Sequence, residues 1–340
     1  MRIAVDAMGG DYAPREIVAG TVLAAQTLPG LTKLYLVGDE KAIRAELAKH
    51  GEVPAIIEVR HASDVIGMDE SPAVAVRRKK DSSINRAVDL VKNGEADAVF
   101  SAGSTGAAVV AAQLKLRTLE GIDRAAIACV MPTPVKPFVL LDAGATPDCT
   151  PEILMQFGVM GMIYSREIVG CKNPQVGLLS VGTEESKGNE ITKETFGLLE
   201  KSGINFSGNV EGHDLYEGNI DVVVCDGFVG NVVLKTSESA AHAMGKWLKE
   251  EFTKNPLRVL GALLLKPGID SIKRKADPSM YGGAPLLGVN GTVIIGHGVS
   301  DARATCNGIR VAGESVKNHV NHLIVDEVKR VQGLIEKGTP

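Results

Sequence analysis

Short apolar runs alternate with longer amphipathic stretches almost throughout this chain. The runs predict strands at residues 3–5, 33–37, 55–59, 98–100, 126–130, 138–141, 175–179, 222–225 and 292–295. The stretches between them repeat apolar residues at three- and four-residue spacing. They predict helices at 14–26, 42–49, 84–93, 105–116, 152–169, 190–201 and 302–319. Strand–helix alternation implies an α/β fold, a mostly parallel sheet with helices on both faces. No internal repeat or low-complexity linker interrupts the pattern, so residues 1–340 read as a single catalytic α/β domain.

One segment departs from the alternation. From 231 to 275 there is no strand signal but two consecutive helical patterns, with Pro256 at the start of the second. A helical pair leaving an α/β body packs against something, often a second copy of the chain. Within it, residues 257–266 read LRVLGALLLK. Leu257, Val259, Leu260, Leu263, Leu264 and Leu265 stand between Arg258 and Lys266, with Lys273, Arg274 and Lys275 following. An apolar run with basic flanks fits a helix lying in a membrane surface. A buried contact between helices or between two copies fits it as well.

Composition narrows the function. Of 340 residues 44% are apolar and 23% charged, as in ordinary soluble enzymes. A net charge of −4 and an aromatic content of 4% give no support to nucleic-acid binding. The five cysteines are scattered with no C-x-x-C spacing, which reads as reduced thiols of a cytoplasmic protein. Cys129 and Cys225 fall in strand patterns and read as core. The N-terminus lacks the apolar region of a signal peptide, and no apolar run approaches the ~20 residues of a spanning helix.

The candidate chemistry sits at strand ends. Residues 177–189, GLLSVGTEESKGN, run from an apolar strand into a loop carrying Glu184, Glu185 and Lys187, with Asn189 opening a helix. Five other strand ends combine glycine with polar residues: DAMGGD (6–11), SAGSTGA (101–107), LLDAGAT (140–146), CDGFVGN (225–231) and GHGVSDA (296–302). Glycines permit close backbone approach, and the first N–H groups of a following helix point toward an anion. Each alone is also what a tight turn with an N-cap looks like. Because parallel strands place their C-terminal ends along one edge, the set is expected to converge on one crevice. SAGSTGA reads as a cradle for one small phosphate, with Ser104 and Thr105 as hydroxyl donors.

Several chemistries are disfavoured. The Lys187-Gly188 order lacks the G-x-x-x-x-G-K-[ST] of a nucleotide-binding P-loop. No G-x-G-x-x-G is followed by an acidic residue ~20 positions on, and there is no G-x-S-x-G elbow. His319 and His322 share a helical face without a third ligand nearby, so no metal site is indicated. His213 and His297 lie in polar loops. An anion cradle without an enzyme nucleophile suggests transfer to or from inorganic phosphate.

These motifs, together with YGGAPLLGVNG (281–291), resemble in order and spacing the acyl-acyl-carrier-protein:phosphate acyltransferases of bacterial phospholipid synthesis. The resemblance covers essentially the whole chain. Thr146 departs from the Asn expected in the LLD-x-GAN pattern. The resemblance implies a Rossmann-like fold related to phosphotransacetylases and isopropylmalate dehydrogenases, with the 231–275 arm serving dimerisation or membrane contact. It implies transfer of a long-chain acyl group from acyl carrier protein to inorganic phosphate, with no organic cofactor and no metal. The acyl phosphate would pass to a membrane glycerol-3-phosphate acyltransferase. The expected state is a cytoplasmic homodimer, peripherally membrane-associated. A short-chain phosphotransacetylase using coenzyme A is the alternative enzyme.

Within that reaction, Lys187 and Asn231 are the preferred donors to phosphate or oxyanion. Asp226 would orient Lys187 or relay a proton, with His297 and Asp301 next in line. Ser104, Thr105 and Gly106, with Asp6, Gly9, Gly10 and Asn189, would bind substrate. Acyl carrier protein is acidic, so a basic docking patch is expected at 77–80 or at 273–275. A solvated helix face is the plain reading of either run, and the second run also serves the membrane reading.

Overall fold

The computed structural model describes residues 1–275 and 281–338. Its first half-chain runs β1 (Arg2–Asp6), α1 (Arg15–Thr27), β2 (Lys33–Gly38), α2 (Glu40–Leu47), β3 (Ile57–His61), α3 (Pro72–Arg78), α4 (Ser83–Lys92), β4 (Ala98–Ser101), α5 (Thr105–Leu116), β5 (Ala126–Ile127), β6 (Cys129–Met131) and β7 (Phe138–Leu141). Then come α6 (Pro151–Tyr164), β8 (Val176–Leu179), α7 (Glu190–Lys201), β9 (Phe206–Val210), β10 (Val222–Val224), α8 (Gly227–Thr253), α9 (Pro256–Lys275), β11 (Ala284–Leu287), β12 (Thr292–Ile295), α10 (Ala302–Lys317) and α11 (Val320–Gly338).

The strands form two sheets rather than one. A seven-stranded sheet has the order β3-β2-β1-β4-β12-β11-β5, and a five-stranded sheet the order β6-β7-β10-β8-β9. Only the pairings of β11 with its two neighbours and of β6 with β7 are antiparallel. The apolar run 126–130, expected as one strand, therefore serves both sheets. It changes sheet at Ala128, whose N–H donates to Pro285 O at 2.9 Å.

That crossover fixes how the sheets meet. β5 is antiparallel to β11, which is antiparallel to β12, so β5 points the same way as β12, β4 and β1. It leaves the first sheet at the C-terminal edge. β6 then starts beside the end of β7, with Cys129 opposite Leu140. The C-terminal edges of the two parallel sheets thus face each other across the β5–β6 junction, and a crevice at those edges is where α/β sheets bind ligands. Helix α6 explains its own position: it is apolar on all sides, and every residue from Ile153 to Tyr164 is buried. It packs between the second sheet and α7 and α11. One apolar cluster there joins Val139 and Val222 of the second sheet with Ala126 and Leu287 of the first.

Local chemistry shifted several expected boundaries. The 55–59 strand starts at Ile57, because Ile57 N–H closes a turn onto Pro54 O at 3.0 Å. The 152–169 helix widens into a π-helical turn over Ser165–Val169 and stops at Gly170, whose φ of +90° ends it. The 302–319 helix ends at Lys317, and α11 follows at once. β9, β11, α3 and α11 had no counterpart in the sequence pattern. The two helices of the arm are present as α8 and α9, the second opening on Pro256.

Candidate active site

Asp6 ends β1, buried at 3% exposure. Its Oδ2 accepts from Ser101 Oγ at 2.7 Å, and its Oδ1 from Met8 N–H at 3.3 Å. Burial pushes this carboxyl above its ordinary range, against hydrogen bonds from Ser83 and Ser101. Asp6 therefore ties the glycine loop after β1 to the loop after β4. Gly9 is pressed against that second loop: a Cβ there would lie 2.6 Å from Gly103 N. Gly10, at φ +111°, lets the loop turn beside Ala102 and Gly298. Asp11 N–H donates to Gly298 O at 2.8 Å, so three strand ends of the first sheet meet here.

Ser104 is the N-cap of α5; its Oγ accepts from Ala107 N–H at 3.4 Å. Thr105 beside it is exposed, and Gly106 packs so closely that a Cβ would come within 2.6 Å of Pro72 Cγ on α3. The SAGSTGA segment is thus a helix N-terminus with Ser104 as its cap and Thr105 exposed beside it, backed by buried Asp6. A small recess is lined by Asp6, Gly9, Ser83, Ser101, Gly103 and Ser104.

The facing edge is organised by Asp142, which ends β7. It is fully buried, and its carboxylate accepts N–H bonds from Ile127 (2.8 Å), Gly144 (3.0 Å), Ala145 (3.0 Å) and Thr146 (2.6 Å). Burial raises its pKa, and the backbone hydrogen bonds oppose that rise. Sequence reasoning gave Asp142 no role; its signal was an aspartate between a buried strand and a glycine. Thr146 donates its hydroxyl to Ala125 O at 2.9 Å, so this departure from the family pattern has a structural partner. Against the same loop lies Asn231, whose Nδ2 is 3.4 Å from Ala143 O. Gly227 N–H donates to Thr146 O at 2.9 Å, seating the start of α8.

Lys187 stands after β8, the neighbour of β10 in parallel register, so its loop and the Asp226–Asn231 turn share one edge. The loop is held from beneath by Asn209, which donates Nδ2–H to Glu184 O at 2.9 Å. Lys187 is exposed, and its Nζ has no hydrogen bond or ion pair among the described residues. Neither Glu184 nor Glu185 pairs with it.

The remaining candidates are helix caps. Asn189 accepts from Thr192 N–H at 2.9 Å, Asp226 from Val229 N–H at 2.8 Å, and Asp301 from Ala304 N–H at 2.8 Å. Each spends one oxygen on its helix. His297 is exposed, and its Nδ1 accepts from Val299 N–H at 3.3 Å. His213 lies elsewhere, after β9, with Nε2 3.1 Å from Asp214. The structure brings Asp6, Gly9, Gly10 and Ser104 into one contact group, Asn231 and Asp226 into a second, and Lys187 and Asn189 into a third. The facing of the two sheet edges relates the groups.

This architecture is shared by solved enzymes. A phosphotransacetylase from Streptococcus pyogenes superposes with a TM-score of 0.58 at 18% identity, covering 99% of this chain and 94% of its own. A branched-chain phosphotransacylase from Enterococcus faecalis superposes with a TM-score of 0.56 at 15% identity, covering 93% and 99%. The class is therefore the phosphotransacetylase-like α/β fold. A family model described as "Fatty acid synthesis protein" matches residues 1–323. A phosphate acyltransferase from Pelotomaculum thermopropionicum is 54% identical over 98% of this chain and 96% of its own length. One from Geobacter sulfurreducens is 48% identical over 97% and 94%. The chain belongs to the phosphate acyltransferase family, and it is an acyltransferase.

Proposed function

We propose that this enzyme moves a long-chain fatty acyl group from acyl carrier protein onto inorganic phosphate, giving acyl phosphate for glycerol 3-phosphate acylation. The observation that carries this reading is the pairing of a helix N-terminus at Ser104 and Thr105 with a facing edge that carries Lys187, exposed and without an ion pair among the described residues. A phosphate oxygen attacks the thioester carbonyl; the C–O bond forms, the C–S bond breaks, and the proton of hydrogen phosphate passes to the leaving sulfur. Phosphate is already anionic near neutral pH, so it needs positioning more than activation. Ser104, Thr105 and the first N–H groups of α5, including that of Gly106, hold it. Lys187 and Asn231 donate to the oxyanion and to phosphate. Of the three relay candidates, His297 is the one whose side chain is exposed and not spent on a helix cap. No cofactor is required.

The same reading makes the chain one catalytic unit with an arm at 231–275. It acts as a cytoplasmic homodimer that meets the membrane, and the membrane acyltransferase consuming its product, peripherally. No described helix is long and apolar enough to cross a membrane. The test is turnover of palmitoyl-carrier protein: free carrier protein should appear only when phosphate is supplied. Equal release without phosphate would show a thioesterase, and preference for acetyl-coenzyme A would show the short-chain enzyme.

A further inference from the structure

An open groove of about 540 Å³ lies outside the crevice, between α3, α4 and α5. Its rim carries Arg77, Lys80, Arg86 and Lys115 against only two carboxylates. Asp81 pairs with Arg86 at 2.5 Å and Asp89 with Lys115 at 2.7 Å. Arg77 and Lys80 are exposed and have no ion pair among the described residues. In a chain of net charge −4 this is a local cationic surplus. The groove is also built: buried Asn85 donates its Nδ2–H bonds to Val76 O and Lys79 O, both at 2.9 Å, and so pins the turn between α3 and α4. Its Oδ1 has no hydrogen-bond partner among the described residues. Leu114, half exposed at 49%, adds apolar surface.

The groove is joined to the proposed phosphate cradle by two of the three helices that line it, α3 and α5. Pro72, the first residue of α3, touches Gly106 in the first turn of α5. From there Arg77 is roughly 8 Å along α3, and Lys115 roughly 14 Å along α5, at 1.5 Å per residue. Val65 and Val74 lie exposed near this path, and Val65 also lines the recess beside Asp6 and Ser104.

We infer that this groove docks the acidic acyl carrier protein, with Arg77 and Lys80 taking the phosphodiester of its pantetheine arm. The arm then follows the α3–α5 seam and delivers the thioester to Ser104. The inference rests on the proposed reaction, which fixes the donor; charge complementarity and reach select this groove. Between the two basic runs expected from sequence, 77–80 has a groove, whereas the side chains of 273–275 lie outside the described residues.

Arg77→Glu with Lys80→Glu should raise KM for palmitoyl-carrier protein at least about tenfold, with kcat and the KM for phosphate unchanged. The parent KM should rise with salt and that of the variant should not. Direct binding of holo-carrier protein, read by fluorescence anisotropy, should weaken in parallel. Arg77→Ala with Lys80→Ala should give a smaller loss with an unchanged melting curve. Unchanged carrier-protein binding in the charge-reversed variant overturns the inference. So does a loss confined to phosphatidylglycerol vesicles, which would assign the groove to lipid. A parent that binds carrier protein but transfers nothing to phosphate would refute the reaction and leave the docking result standing.

Discussion

Ser101 Oγ donates to Asp6 Oδ2 at 2.7 Å, joining two strand ends that are 95 residues apart in sequence. The bond is buried beneath the glycine loops that follow β1 and β4. Asp6 therefore ties the Gly9 loop to the loop before Ser104, beside which Thr105 is exposed.

Its pKa direction gives a signed prediction. Burial raises the folded-state value of Asp6 above the ordinary 3.8. Between 3.8 and that raised value the folded chain keeps a proton that the unfolded chain has released, so this contribution to stability falls as pH rises. Asp6→Asn removes it, and the stability of the variant relative to the parent should improve with pH across that window. Urea unfolding at a series of pH values measures this; a difference that does not vary with pH would refute it. Asp81 has the opposite sign. The Ser63 hydroxyl and then Arg86 hold its carboxyl down to about 2. Its contribution is complete above 3.8 and disappears as pH falls through about 2, a titration visible by NMR.

Gly230 tests the seating of α8. A Cβ there would overlap the carbonyl oxygen of Asp142, a backbone atom that cannot swing away. Gly230→Ala should cost at least ~1–3 kcal/mol through overpacking and should also displace Asn231, lowering activity. Denaturant unfolding and turnover should fall together. A fully stable, fully active variant would show that α8 sits further from the Asp142 backbone than described.

Lys187 separates activity from stability. Its Nζ has no partner to lose among the described residues, so Lys187→Ala should melt like the parent. Loss of a donor to the developing oxyanion typically costs roughly 10²–10³ in rate; a loss of at least about tenfold in kcat is expected here. Near-native kcat removes Lys187 from the chemistry and leaves the edge to Asn231.

The cysteines should be chemically quiet. Burial pushes Cys149 up to about 12 and Cys225 well above its usual range, and desolvation pushes Cys129 up to about 12. The thiolate is the reactive form, so these three should resist iodoacetamide at pH 8 until the protein is unfolded, as counted by mass spectrometry. Rapid native labelling coupled to loss of activity would reopen the case for an enzyme thiol nucleophile.

The sequence carried β1, β2, β4 and β12 of the first sheet because they are continuous apolar runs, but it missed β11 in the same sheet. It failed where tertiary contacts decide. β9, FSGNV, is too polar to declare itself and contains Gly208 at φ +94°; it becomes a strand by pairing with β8 through a shifted register. The run 126–130 looks like one strand, and nothing local marks Ala128 as the point where the chain changes sheet. The strand-end residues were legible as a group because glycine and N-cap chemistry leave a pattern. Their division of labour was not: Asp142 with four backbone donors and Asp226 with a helix to cap look alike in sequence.

The arm gives the last prediction. Leu257, Leu263 and Leu264 on α9 are 79%, 61% and 77% exposed, and Leu260 and Leu265 are also exposed. Leu263, Leu264 and Leu265 are consecutive, so at 3.6 residues per turn they sweep over half the circumference of the helix. A helix lying at the headgroup–acyl boundary buries one apolar face there, and each Leu it buries contributes up to about 1.5–3 kcal/mol. Leu263→Glu with Leu264→Glu should therefore reduce flotation with anionic liposomes at least about tenfold, while the sedimentation coefficient and turnover in solution stay unchanged. If flotation persists and the sedimentation coefficient falls instead, the leucines hold two copies of the chain together and the membrane is met elsewhere.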